Sequence, residues 1–334
     1  MFYLSTFLIG NVMKIDTKTA SRAKYKVRNW KEYNANLCKR GSLELYIAPE
    51  VLKEWSEISK KKKEVGERTY SDNIIQCCLL VKLSYRLCLR QSIGFLNSLF
   101  VLLGKSKLLI PDYTTLCRRQ KTLPAEVGQR LKSGDNLVVG IDSTGLKVYG
   151  EGEWKVRKYG WGKHRTWRKL HIFIDLKTQE ILSAELTENN EDDASVGRRM
   201  IEGHTHKINS FHGDGAYDDS AFRGSLGESI FPAIPPPKNA VIRKEKKGKT
   251  LLTHIVRRNE AVEYIQKHGL KQWKIEHGYH KRSLNETVMF RFKKIFGGEL
   301  GARTMENQKT EILLKCLILN KFTGIGMPNS YKVA

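Results

Sequence analysis

Apolar residues recur at helical spacing through about the first 130 positions, and then the rhythm changes. Ala48–Lys62, Asp72–Leu89, Arg90–Leu103 and Asp112–Leu123 each keep the spacing of a one-faced helix, with breaks at Gly66, Gly104 and Pro111. Strand alternation is nearly absent there. At Ser133-Gly134-Asp135-Asn136 a polar turn intervenes, and Leu137–Ile141 follows as a short apolar run ending in Asp142. This pattern predicts a buried strand with a carboxylate at its tip.

Trp167–Leu176 and Ile181–Thr187 alternate well enough to be strands, joined by the hairpin connection Lys177-Thr178-Gln179-Glu180. Asp192 or Asp193 can cap a helix running to about Gly203. Ile208–His212 reads as a strand, Asp219–Leu226 as a helix, and Ile230–Ile234 as another strand, broken by Pro235-Pro236-Pro237. A helix beginning near Tyr279 and another at about Asn307–Phe322 close the chain. That order predicts a mixed α/β sheet core. The division expected is an N-terminal all-helical domain over residues 1–132 and a catalytic α/β domain over 133–334.

Charge changes the picture. The 334 residues hold 59 Lys+Arg against 35 Asp+Glu, a net +24, which points to a polyanionic partner. The segment from about 238 to 278 is strongly basic and reads as an insertion, helical or irregular, ahead of the helix near Tyr279. Six cysteines (Cys38, Cys77, Cys78, Cys88, Cys117, Cys316) form no C-x-x-C pair and read as reduced core residues of a cytoplasmic protein. His204 with His206 and His277 with His280 have no thiol at zinc spacing, so no structural zinc is expected. Met1–Met13 is apolar but short, with no basic residue ahead of it and no cleavage pattern, and no apolar run is long enough to span a bilayer. No membrane partner is expected, and translation from Met13 is an alternative start.

Three acids stand out. Asp142 and Asp214 each end a strand candidate, where open α/β sheets place their sites, although either alone is equally an ordinary turn or cap residue. If Tyr279–Lys293 is one helix, Tyr279, Arg282, Glu286 and Lys293 project from a stripe of about 60°. Leu284, Val288, Phe292 and Ile295 lie opposite, free to pack on the sheet. A solvated helix face would look the same.

The pattern Y-x2-R-x3-E-x6-K filled by these four residues resembles the signature of the DDE transposases of bacterial insertion sequences. Gly140-Ile-Asp142-Ser-Thr-Gly and Gly213-Asp214-Gly-Ala-Tyr-Asp218 resemble that family's two Asp motifs. Seventy-two residues separate Asp142 from Asp214, and another 72 separate Asp214 from Glu286. The likeness is nearest to the insertion sequence 5 family and extends to Val27-Arg-Asn-Trp-Lys-Glu-Tyr-Asn, Pro111-Asp-Tyr-Thr-Thr-Leu and the stretch from Tyr149 to Lys158. It implies an RNase H-like catalytic core that binds terminal inverted repeats and performs metal-dependent strand cleavage and strand transfer.

Under that resemblance, Asp142, Asp214 and Glu286 are the catalytic and metal-ligating acids. Three carboxylates can hold two Mg2+ ions, or Mn2+ in their place, about 3.5–4 Å apart for in-line displacement at phosphorus. Arg282 is expected on a phosphate near the cleavage site, Lys293 adds charge on the same face, and Tyr279 touches the terminal nucleotides. Asp218 is the competing second acid.

Lys155, Arg157, Lys158, Lys163 and Arg165, interleaved with aromatics and followed by Arg168 and Lys169, suit phosphate contact with base stacking, or else a solvated hairpin face. Trp273 could stack on an extruded base or simply pack in the core. Arg90–Leu103 and the helix capped by Asp112, carrying Thr114, Thr115, Arg118 and Arg119, form a helix-turn-helix candidate with a long turn, or else a plain packing pair. The partner expected is double-stranded DNA, as transposon ends and target, with a homodimer assembled on it. An RNase H-like nuclease would share the acids without needing the basic insertion. A catalytically silent DNA-binding regulator would not require all three.

Overall fold

A computed structural model describes residues 24–60, 70–133, 135–148, 167–244 and 250–333. The chain enters as a strand, β1 (Lys24–Val27), followed by helices α1 (Trp30–Lys39), α2 (Pro49–Lys60), α3 (Asp72–Ser84), α4 (Leu89–Leu102), α5 (Tyr113–Gln120) and the short α6 (Gln129–Ser133). Local chemistry sets several starts. Ser71 accepts from Ile74 N at the head of α3, and Asp112 accepts from Thr114 N at the head of α5. The predicted helix from Asp72 to Leu89 stops five residues early. Arg86 adopts a left-handed φ of 54°, Leu87 N reaches back to Lys82 O, and the Arg86 guanidinium is held on Ile295 O.

The sheet strands are β2 (Leu137–Val148), β3 (Trp167–Asp175) and β4 (Glu180–Glu188), followed by helix α7 (Asp193–Ile201) and strand β5 (Ile208–His212). Helix α8 (Ser220–Ser225) leads to β6 (Phe231–Ala233) and then to the long α9 (Thr253–Glu276), which bends where Gly269 takes φ 83°. The remaining elements are α10 (Ser283–Phe296), β7 (Glu299–Leu300), α11 (Met305–Ile325) and β8 (Ser330–Val333). The sheet runs β4-β3-β2-β5-β6, with β2–β3–β4 antiparallel and β5 and β6 parallel to β2. This mixed order fits an RNase H-like core.

Because β2 is central, its two faces carry different layers. Val139 and Ile141 join the core with Val196 and Met200 of α7 and Phe222 of α8, whereas Leu146 joins Val288 and Phe292 of α10 and Ile312, Cys316 and Leu319 of α11. Along its edge, β2 pairs with β5 only up to Gly140 and with β7 only from Lys147, leaving a gap. Helix α10 seats there: a Cβ on Gly140 would fall 2.5 Å from both terminal atoms of Asn285, which is fully buried.

The N-terminal region differs from an all-helical domain in two respects. Strand β1 pairs antiparallel with β8, tying the two ends of the described chain together. The core formed by Trp55, Ile74, Phe100 and Leu116 also takes Leu314, Ile318 and Phe322 from α11, whose other side packs on the sheet. That helix is apolar on both sides, as a helix sandwiched between layers must be. Half of the cysteines depart from the core expectation: Cys77, Cys78 and Cys316 are buried, but Cys38, Cys88 and Cys117 are exposed, and all six are free thiols. No helix among the described residues is long and apolar enough to cross a membrane.

Two outcomes follow from this packing. Ile318→Ala, at a fully buried position, is expected to cost about 2–5 kcal/mol and to lower a single cooperative melt, read by circular dichroism, because α11 serves both cores. Gly140→Ala is expected to cost about 1–3 kcal/mol in chemical denaturation by forcing Asn285 off β2.

Candidate active site

The three acids reach one place by three routes. Asp142 lies in the middle of β2 rather than at a strand tip, opposite Ile172 of β3, because β2 continues to Val148 along its antiparallel partner. What ends near Asp142 is the parallel pairing with β5, so the carboxylate sits at the gap in the edge, on the same face as Gly140. Asp214 follows β5 directly and caps a tight turn at Gly215–Tyr217, accepting from Ala216 N at 2.9 Å. Glu286 stands in the first turn of α10, one residue after Asn285.

The helical stripe holds only in part. Tyr279–Arg282 is a 3-10 turn, and regular α-helix begins at Ser283, so Tyr279 is not one turn back along the same helix. Lys293 is exposed two turns beyond Glu286. Arg282 enters the acid cluster: Nη1 lies 2.6 Å from Glu286 Oε1 and Nη2 lies 3.9 Å from Asp214 Oδ2.

Electrostatics registers the convergence. Burial pushes the Asp142 carboxyl up. Ser143 N at 2.9 Å and the Arg282 charge pull it back, while Asp214 and Glu286 push it up further. Tyr217 is buried beneath the cluster with its hydroxyl unpartnered, and burial followed by the charges of Asp193, Asp142 and Asp214 raises it strongly. Among the described residues, no three His, Cys, Asp or Glu side chains stand close enough together to hold a metal ion. The donor set is nonetheless what a hard divalent cation prefers, carboxylate oxygens without sulfur. A single guanidinium serves as their shared counter-charge here.

Behind Asp142, on the opposite face of β2, lies a group the sequence pointed to only as a helix start. Asp192 is the side-chain cap of α7, accepting from Ser195 N. The neighbouring Asp193 turns inward, with Lys169 Nζ 2.9 Å from Oδ2 and Nδ1 of the buried His171 3.3 Å from Oδ1. Burial raises Asp193, but His171, Lys169 and Ser143 outweigh it and bring the carboxyl down to about 2. Ser143 adjoins Asp142 and is paired with His171 across β2 and β3, so the cluster braces the strand beside Asp142. The α7 pattern revealed a cap but not which of two adjacent acids faced in.

Several expected DNA contacts are otherwise engaged. Arg168 pairs with Glu188 at 2.6 Å and reaches Gln308, and Lys169 is the Asp193 partner just described. Arg119 is bound to Asp72 at 2.5 Å and to Tyr70 O, so it fastens α5 to α3. Thr114 completes the Asp112 cap and Arg118 folds back onto Thr114, with the Arg118 side chain exposed and Thr115 half-buried. Lys155, Arg157, Lys158, Lys163 and Arg165 lie outside the described residues. Asp218 is consumed in a buried ion pair with Arg223 (2.6 Å) and Arg258 (3.0 Å), which removes it as the second acid of this cluster. Trp273 is buried, stacked on the His277 ring at 4.6 Å, and belongs to the packing of α9.

A family model described as a transposase DDE domain matches residues 133–321, more than half of the chain. A second model with the same description matches residues 38–151. Among solved structures, the piggyBac transposase synaptic complex with hairpin DNA is similar at 11% identity over 86% of this chain and 82% of that chain. The TM-score between the two is 0.28.

The brace makes a pH prediction. The depressed carboxyl of Asp193 contributes stability above its unfolded value near pH 4, and that contribution is lost as pH falls toward about 2. Asp193→Asn is expected to lower stability at neutral pH and to flatten the fall of the denaturation midpoint between about pH 4 and pH 2.

Proposed function

The chain belongs to the family of transposases built on a DDE domain, and we propose that it binds the terminal inverted repeats of an insertion sequence of the insertion sequence 5 type. There it cleaves one strand at each end and transfers the freed 3′-hydroxyl into target DNA. The observation that carries this reading is the convergence of Asp142, Asp214 and Glu286, from β2, the turn after β5 and α10, around one guanidinium.

These three carboxylates are the groups that would hold divalent metal, two Mg2+ ions or Mn2+ in their place. Bound there, the metal would lower the cost of deprotonating the attacking hydroxyl and of charging the leaving oxygen. The chain's own residues do the rest. The rigid seat of Asn285 on Gly140 holds Glu286 over the strand that bears Asp142. The cap geometry of Asp214 fixes one of its oxygens on Ala216 N and leaves the other toward Arg282. Tyr279, half-buried beside Trp273 and under Lys274 Nζ at 5.2 Å from its ring centroid, offers an aromatic edge beside the acids for a terminal nucleotide. Exposed Lys293 and Arg118, with Lys155, Arg157, Lys158, Lys163 and Arg165, contribute phosphate contacts. Of Thr114, Thr115, Arg119, Arg168 and Lys169, the charged three have structural partners and contribute less. Two ends must be joined, so the active form is a homodimer assembled on DNA, acting in the bacterial cytoplasm.

The test is cleavage of a labelled duplex carrying the element's terminal repeat, with Mg2+, by the native chain and by Glu286→Gln. Repeat-dependent nicking is expected, reduced at least about a hundredfold in the variant, since even outer-sphere changes at metal sites cost 10- to 100-fold. Nicking indifferent to the repeat would indicate a general nuclease, and repeat binding without nicking by the native chain would indicate a silent regulator. Duplex affinity is also expected to fall steeply with salt, with a log–log slope of about −0.9 per phosphate neutralised.

A further inference from the structure

Arg282 is poorly placed for an ordinary stabilising role. It stands at the N-cap position of α10 and supplies no side-chain cap. The end of a helix where N–H groups point outward carries partial positive charge, so a cation there is unfavourable. An Arg four residues ahead of a Glu is also the weaker orientation of an i, i+4 pair. His280 and Lys281 precede it, making this helix start more positive still. What compensates is the acid cluster: the guanidinium is 2.6 Å from Glu286 Oε1, 3.9 Å from Asp214 Oδ2, and electrostatically coupled to Asp142. The Arg282 side chain is only 22% exposed, and the three acids do not close on one another to metal-holding distance while it lies among them.

We propose that Arg282 is a latch that couples DNA to the divalent cation. Without DNA its guanidinium is the internal counter-ion of the three carboxylates and competes with metal for Glu286 and Asp214. A backbone phosphate arriving at the positive start of α10 offers the guanidinium a bidentate anionic partner, and its departure frees the two carboxylates as oxygen ligands for a cation of twice its charge. No bond is made or broken in this step; one ion pair is exchanged for another. The site is thereby kept from assembling until an end is bound. The inference rests on the proposed metal role of the three acids.

The experiment measures Mn2+ binding to the full-length protein by electron paramagnetic resonance of the free ion, for the native chain, Arg282→Gln and Glu286→Gln. Each is measured alone and with a terminal-repeat duplex, after subtraction of Mn2+ held by the duplex. The native chain is expected to bind Mn2+ weakly alone and about tenfold or more tightly with the duplex, within the usual range of coupling between sites. Arg282→Gln is expected to bind Mn2+ about tenfold more tightly than the native chain without DNA, since no charge-assisted hydrogen bond has to be released, and to lose most of the enhancement by the duplex. A role in holding the helix alone would leave Mn2+ affinity unchanged or lower it. If native chain and Arg282→Gln bind Mn2+ equally without DNA, the latch is overturned while the metal role of the acids stands. If neither exceeds Glu286→Gln even with the duplex, the metal role itself fails and the latch with it. Thermal melting of Arg282→Gln checks that the helix start is intact; a variant that melts with the native chain, binds Mn2+ more tightly and no longer gains from the duplex is the outcome that only a latch produces, whereas tighter binding with the duplex enhancement retained would mean a fixed charge and overturn it.

Discussion

The interrupted edge of β2 is the constraint on which the rest depends. A central strand of a mixed sheet would ordinarily be paired along its whole length, yet here the parallel neighbour β5 ends at Gly140 and β7 resumes only at Lys147. The gap must be covered, because buried backbone groups left without partners are costly. Helix α10 covers it, with Asn285 lying directly on the Cα of Gly140 and its amide 3.5 Å from Ile141 O. A side chain at position 140 would lift the helix, and with it Glu286, from the strand that carries Asp142. The packing of one glycine against one asparagine thus sets the geometry of two acids.

Around that seat, charge is arranged asymmetrically on the two faces of β2. On the α10 face three carboxylates share Arg282, and beyond the effect of burial the charges of Asp214 and Glu286 push the Asp142 carboxyl up. On the α7 face, Asp193 is held by Lys169 and His171 and is fully committed. The first group shares one partly buried guanidinium and the second is tied to two partners, so the strand between them is held firmly from the α7 side. Helix α11 extends the same rigidity, since its two sides bury into the helical layer and the sheet together.

Much of this was legible in the chain. The five-residue apolar run before Asp142 announced a buried strand, and the hairpin through Lys177–Glu180, the cap at Asp112 and the helix after Asp219 appear where local chemistry demands them. Of the Y-x2-R-x3-E-x6-K pattern, Arg282 and Glu286 pair with each other, and Arg282 also reaches toward Asp214. Other features were not legible, because they depend on partners distant in sequence. The commitment of Arg119 to Asp72, of Arg168 to Glu188 and of Asp218 to Arg223 and Arg258 turns charges that read as DNA contacts or as a catalytic acid into fasteners. A basic residue has the same local signature whether it meets a phosphate or an internal carboxylate.

The sequence by itself determined the kinds of element and the strongly positive charge, because periodicity, capping and composition are local properties that survive without a fold. Tertiary structure alone decided that Asp142 sits in mid-strand beside an open edge, that Tyr279 belongs to a 3-10 turn, that β1 closes on β8, and that Arg282 stands among the acids. Apart from the turn at Tyr279, each of these is a relation between segments tens to hundreds of residues apart. It is settled by which surfaces bury each other, and no local pattern encodes that.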